Sequence, residues 1–153
     1  MVLDSIDAKI LEVLQENARV SISELSKKIN LSLSAVSERL KKLESSGVIE
    51  QYTTILDHKA MDRDLRAMMM VSVDGSINRE ELRKLVNESE EILECYFIAG
   101  AWDYIMKIAT KDTESLAELV KKVKSIKGVK TTETDIFLEQ FKQQYSVVPT
   151  AGK

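Results

Sequence analysis

The hydrophobic period of this chain changes once, and that change limits what it can fold into. Up to Gly47 the apolar residues recur at helical spacing, whereas from Arg66 onward strand-like runs alternate with helical ones. A helical unit must therefore precede a mixed one, and 153 residues give room for two small domains.

The helical part carries its own punctuation. Asp4 can cap a first helix whose buried stripe is Ile6, Ile10, Leu11, Val13 and Leu14, with Asn17 as a left-handed stop. "SISE" (Ser21 to Glu24) has capping-box spacing and opens a short helix through Leu25 and Ile29, ended by Asn30. Ser32 caps a third helix that Gly47 closes. Two short helices across a tight turn, with a longer one before them, form the helix-turn-helix pattern. "VIEQYTTILD" (Val48 to Asp57) follows as β-rich sequence, long enough for a strand or a small wing.

The sides of the third helix differ in chemistry. At roughly 100° per residue, Leu33, Val36, Leu40 and Leu43 share the side expected to face a core. Ser34, Ala35, Glu38, Lys41 and Lys42 lie opposite, with Ser37 and Arg39 at the edges and Ser32 at the cap. Small polar groups allow close approach to base edges, and cations further along can hold phosphates. The net charge of −3 does not oppose this, because Arg19 to Lys42 holds six basic residues against two acidic ones, a local +4. An ordinary solvated helix face would look similar; the capped helix and tight turn before it favour the recognition helix.

Other functions are poorly served. The chain has one cysteine, Cys95, among apolar neighbours, and one histidine, His58, so neither a disulfide nor a metal site is expected. No cofactor is expected either, nor a Ser-His or Cys-His nucleophile away from His58. No apolar run approaches the ~18 residues of a membrane span. Asp4 and Asp7 stand where a secretory signal would place positive charge, which gives a cytoplasmic expectation.

Beyond a connector, "HKAMDRDLRA", the order of patterns is strand (Arg66–Asp74), helix (capped by Asn78 and Glu81), strand, a tight turn at Gly100, strand, helix (closed by Gly128) and a last strand over Val129–Lys142. This βαββαβ order is the ferredoxin-like split unit, with both helices on one face. The expected organisation is α+β: a helix-turn-helix domain (winged-helix-like) over 1–50, a β linker over 51–64, the ferredoxin-like domain over 65–145 and a frayed tail over 146–153. The strands alternate poorly. Met68 and Met70 oppose Ala67, Met69, Val71 and Val73, while Leu93, Cys95 and Phe97 oppose Ile92, Tyr96 and Ile98. One sheet face is thus left open and apolar, and a symmetric dimer would bury it.

Four stretches in order, "LDSIDAKILEVLQENARVSISELS", "LSLSAVSERLKKLESSGVI", "YFIAGAWDYIMKI" and "GVKTTET", resemble the Lrp/AsnC or feast/famine regulators from Leu3 to Lys142. Two departures are small: Asn30 and Leu33 stand where the family often has Gly and Pro. The resemblance implies a transcription regulator that binds double-stranded DNA, forms homodimers and often octamers, and responds to an amino acid. It places the effector at Gly100, Asp103 and Tyr104, with Thr132, Glu133 and Thr134 from the turn after Gly128. Asp103 could accept an ammonium, while turn amides and threonine hydroxyls could donate to a carboxylate. Without the resemblance, the same residues are ordinary hairpin and strand formers. Two alternatives share the architecture: a constitutive DNA-organising protein, and a sirohaem-decarboxylase-like enzyme, which a lone linker histidine serves badly.

Overall fold

Hydrogen-bonding side chains start every helix of the computed structural model, which describes residues 2–152; the outer ends of the first domain and of the tail, Met1 and Lys153, lie outside the described residues. The first three helices are α1 (Ser5–Glu16), α2 (Ile22–Ile29) and α3 (Leu33–Ser45), begun by Asp4, Ser21 and Ser32. Asp4 with Asp7 and Ser21 with Glu24 form reciprocal capping boxes, which satisfy amides that a helix start leaves without partners. Ile10, Leu25, Val36 and Leu43 are fully buried at the centre of the three helices, ringed by residues such as Ile6, Leu14, Ile29 and Leu40. Residues up to Thr54 form this unit together with those from Lys142 onward; Ile55–Phe141 form the other.

In the second unit, strands β1 (Leu65–Val73), β2 (Ile92–Phe97), β3 (Tyr104–Thr110) and β4 (Val129–Ile136) alternate with helices α4 (Arg79–Glu88) and α5 (Thr113–Ser125). The sheet is antiparallel in the order β2-β3-β1-β4, the ferredoxin-like arrangement. Its core joins Ala67, Met69, Val71, Met106 and Ile108 of the sheet to Leu82, Leu116, Leu119 and Val123 of the helices. Gly128, at φ +89°, lets the turn before β4 press against the backbone of Ile77.

Several expectations need correction. Asn17 is extended (φ −150°) and not left-handed. Its side chain accepts the Arg19 amide at 3.0 Å, so an Asx turn ends α1. Leu33 is 56% exposed, because the first position of α3 precedes the turns that reach the core. Val48–Asp57 forms neither strand nor wing. The amides of Val48 and Ile49 both turn back to the Leu43 carbonyl to finish α3, and no strand lies alongside the rest. The last strand ends at Ile136. The tail, expected to fray, is held along α1: Gln15 Nε2 donates to the Val147 carbonyl at 2.7 Å, and the Gly152 amide to that of Leu3 at 2.9 Å.

The largest correction concerns β2. A bulge between Ile92 and Glu94 turns Ile92 to the helix side with Cys95 and Phe97, and leaves Leu93 as the extra residue. The open face is consequently mixed. Glu94, Lys107, Met68 and Asp135 form one row across it, and Tyr96, Ile105, Met70 and Glu133 the next. Lys107 bonds to Glu94 at 2.8 Å, so the methionines lie among charged groups.

Candidate nucleic-acid interface and effector site

The turn between α2 and α3 is three residues long and closed from both sides. Asn30 takes the left-handed conformation at φ 57°, ψ 49°, a geometry that its short polar side chain tolerates. The Leu31 amide donates to the Ser26 carbonyl, and the Ser26 hydroxyl to the Leu31 carbonyl. Ser32 Oγ then accepts the Ala35 amide at 3.2 Å and lies 3.1 Å from Ser34 Oγ. Because Val36 and Leu43 are buried, α3 must turn Ser34, Glu38 and Lys41 to solvent.

Of the residues singled out in the sequence, Ser32, Ser34, Glu38, Lys41 and Lys42 are exposed, while Ala35 and Ser37 are partly buried at the edges. Arg39 is set apart. Its Nη1 lies 2.7 Å from both Asp4 Oδ2 and Asp7 Oδ1, which raises its pKa and ties α3 to the start of α1. Ser45, one turn beyond Lys41, continues the exposed stripe; helical spacing alone could have named it.

At the other site, β1 is the common neighbour. Val71 pairs with Tyr104 on one side and Thr132 on the other, so these two stand about two strand spacings, ~10 Å, apart. Asp103 adjoins this row: its amide donates to the Val71 carbonyl at 3.0 Å, and its Oδ2 accepts the Val73 amide at 2.8 Å. Thr132 and Thr134 oppose Val71 and Met69 on the helix side of the sheet, whereas Glu133 opposes Met70 on the open side. Glu133 is therefore not brought together with the two threonines. The Thr134 hydroxyl is buried with no hydrogen-bond partner among the described residues. Gly100 lies in the β2–β3 connection, exposed, with open space where a Cβ would stand. The sequence reading did not place Phe97 here. Its ring lies 5.2 Å from that of Tyr104, and the Arg79 guanidinium sits 5.7 Å above it.

Residues 3–50 match a winged helix-turn-helix DNA-binding domain, and residues 66–147 the Lrp/AsnC ligand binding domain. The chain belongs to the Lrp/AsnC family. It is 37% identical over 142 residues to an HTH-type transcriptional regulator of Pyrococcus furiosus, covering 93% of each chain. It is 34% identical to the leucine-responsive regulatory protein of Klebsiella pneumoniae, covering 95% of this chain and 91% of that one. Among solved structures, a transcriptional regulator of Neisseria meningitidis in complex with L-Met superposes with a TM-score of 0.89 at 33% identity, covering 95% and 96% of the two chains. The protein is accordingly a DNA-binding transcription regulator with a ligand-binding domain. No helix among the described residues is long and apolar enough to cross a membrane.

Proposed function

We propose that this regulator reads duplex DNA through the exposed stripe of α3, and that a small amino acid controls it from the end of the sheet near Asp103. The supporting observation is the stripe itself: Ser34, Glu38 and Lys41 project from a helix that follows a short, hydrogen-bonded turn. Ser34 and Glu38 are placed to face base edges, and Lys41 and Lys42 to hold phosphates. Asp103 has Oδ1 to offer an ammonium, while Thr132, across β1 from the start of β3, carries a hydroxyl that can donate to a carboxylate. The likeness to a regulator solved with L-Met supports an amino acid as effector.

Two copies would associate through the open face around Met68, Met70 and Tyr96, as a homodimer that can build octamers in the cytoplasm. An effector that binds one arrangement of subunits better than another then changes DNA affinity by linkage. No catalytic step belongs to this reading. A thermal-shift screen across the proteinogenic amino acids tests the effector. A true effector at 100 times its dissociation constant stabilises the fold by about 2.7 kcal/mol, whereas no shift with any amino acid at millimolar concentration contradicts it.

A second reading has one observation in its favour. The Asp103 carboxylate already serves the Val73 amide. A protein that organises DNA without an effector would keep Asp103 for that purpose alone.

A further inference from the structure

Four carboxylate oxygens at the start of α1 are divided evenly between two tasks. Asp4 Oδ1 accepts the amides of Ile6 and Asp7 at 2.8 Å each, and Asp7 Oδ2 accepts the Asp4 amide at 3.2 Å. The other two oxygens, Asp4 Oδ2 and Asp7 Oδ1, both meet Arg39 Nη1 at 2.7 Å. The capping box therefore orients both carboxylates before any partner arrives, and the partner comes from the middle of α3. The Asp7 side chain is only 7% exposed and that of Arg39 30%. The contact is thus partly withdrawn from water, where a charge-assisted bond is stronger than at the surface.

This arrangement changes the electrostatics of the DNA-facing region. One guanidinium between two carboxylates is a cluster of net charge −1, which repels a phosphate. Once Asp4 and Asp7 are counted, the local excess of +4 between Arg19 and Lys42 falls to +2. Lys41 and Lys42 are exposed on α3, and no ion pair among the described residues holds them.

We infer that Arg39 is a positioning residue: clamped by Asp4 and Asp7, it fixes the roll of α3 against α1, and so the direction in which Ser34 and Glu38 point, without neutralising DNA phosphate itself. The inference rests on the proposed reading of DNA by α3. A rotation of α3 about its axis moves its exposed side chains sideways while Val36 and Leu43 stay in contact with the core. Close packing around Val36 and Leu43 sets which side of the helix faces inward. Two hydrogen bonds from Arg39 Nη1 to preoriented carboxylates add a directional restraint on its roll.

The test uses the full chain and two probes: a duplex selected by the unsubstituted protein from a random pool, and a mixed-sequence duplex. Affinities are measured across a salt series, well below the melting temperature of each variant. Asp7→Asn and Arg39→Gln should each reduce the preference for the selected duplex roughly tenfold, the scale of one lost base contact. The slope of log affinity against log salt should stay unchanged. The paired variant Asp7→Asn/Arg39→Gln leaves no unpaired buried charge, and should show the same loss even if one single variant folds poorly. Arg39→Lys should recover part of the preference.

Opposite results overturn the inference. If Arg39 held a phosphate, Arg39→Gln would weaken binding to both duplexes alike and flatten the salt slope by about 0.9. If the clamp were merely structural, the variants would melt earlier with preference unchanged. Failure of the unsubstituted protein to bind any duplex would overturn the reading of DNA by α3, and this inference with it.

Discussion

Asp103 Oδ2 accepts the Val73 amide at 2.8 Å, across the gap between the start of β3 and the end of β1. The pairing of β1 with β3 ends at Val71 and Tyr104, so beyond it the Asp103 side chain supplies the acceptor that the ladder no longer provides. Asp103→Ala should leave that partly buried amide unpaired and cost about 1–3 kcal/mol in urea unfolding. Asp103→Asn keeps an acceptor for Val73 but removes the charge an ammonium requires. Its stability should stay near that of the unsubstituted chain while the thermal shift by the effector disappears. A full effector response in Asp103→Asn would take the ammonium away from this residue.

Gly128 and Gly47 both have positive φ, at +89° and +74°, yet only Gly128 is crowded. A Cβ on Gly128 would stand 2.3 Å from the Ile77 backbone, whereas nothing lies within 4 Å of one on Gly47. Gly47→Ala should cost about 1–2 kcal/mol for its backbone conformation alone. Gly128→Ala adds overpacking against immovable backbone, for about 2–5 kcal/mol together. Equal losses of stability in the two variants would show that the Gly128 turn yields freely.

The helix caps set a pH dependence. Hydrogen bonds from the Asp7 amide and from Arg39 hold the Asp4 carboxyl below its ordinary 3.8, and bonds from the Ser21 amide and hydroxyl hold Glu24 below its ordinary 4.5. Folded carboxylates with depressed pKa bind fewer protons than unfolded ones. Their contribution is complete above the unfolded values and is lost as pH falls through the folded ones. Helix content followed in urea should show stability falling below about pH 4, with a shallower fall in Asp4→Asn and Glu24→Gln. An unchanged acid slope in both variants would remove the caps from this account.

Helix starts set by neighbours in sequence were legible, although the form of the Asn17 stop was not, and structure set by distant partners was not. Asp4, Ser21, Ser32 and Asn78 cap through amides two or three residues away, so spacing alone reveals them. The ion pairs of Arg39 could not be read from the sequence, because its two partners lie 35 and 32 residues earlier. The bulge at Leu93 is likewise a property of the β2–β3 pair, and it inverted the expected facing of part of β2. Val48–Asp57 has strand composition, but composition provides no partner. At the effector site the turn residues were found, whereas the face that separates Glu133 from Thr132 and Thr134 needed the register.

The open face of the sheet yields a prediction about assembly. Tyr96, Ile105, Met70 and Glu133 lie in one row across it, and the rows meet at Met68 and Met70. Met70→Glu places a second carboxylate beside Glu133 and removes apolar surface from a shared face. Sedimentation of the full chain should show dimers or larger species, and monomers or aggregates for Met70→Glu. An unsubstituted chain that sediments as a monomer, or a Met70→Glu variant that assembles normally, would mean that this face is not where copies meet.

The exposed stripe of α3 is tested most directly by DNA binding at several salt concentrations, with substitutions confined to that stripe. Lys41→Gln and Lys42→Gln should weaken binding to selected and mixed-sequence duplexes alike, and each should reduce the salt slope by about 0.9. Ser34→Ala and Glu38→Gln should leave the slope unchanged and alter preference among sequences by roughly 1–3 kcal/mol. That split between charge and preference is the predicted result. Unchanged affinity, slope and preference in all four variants would contradict the assignment of α3 as the helix that reads DNA.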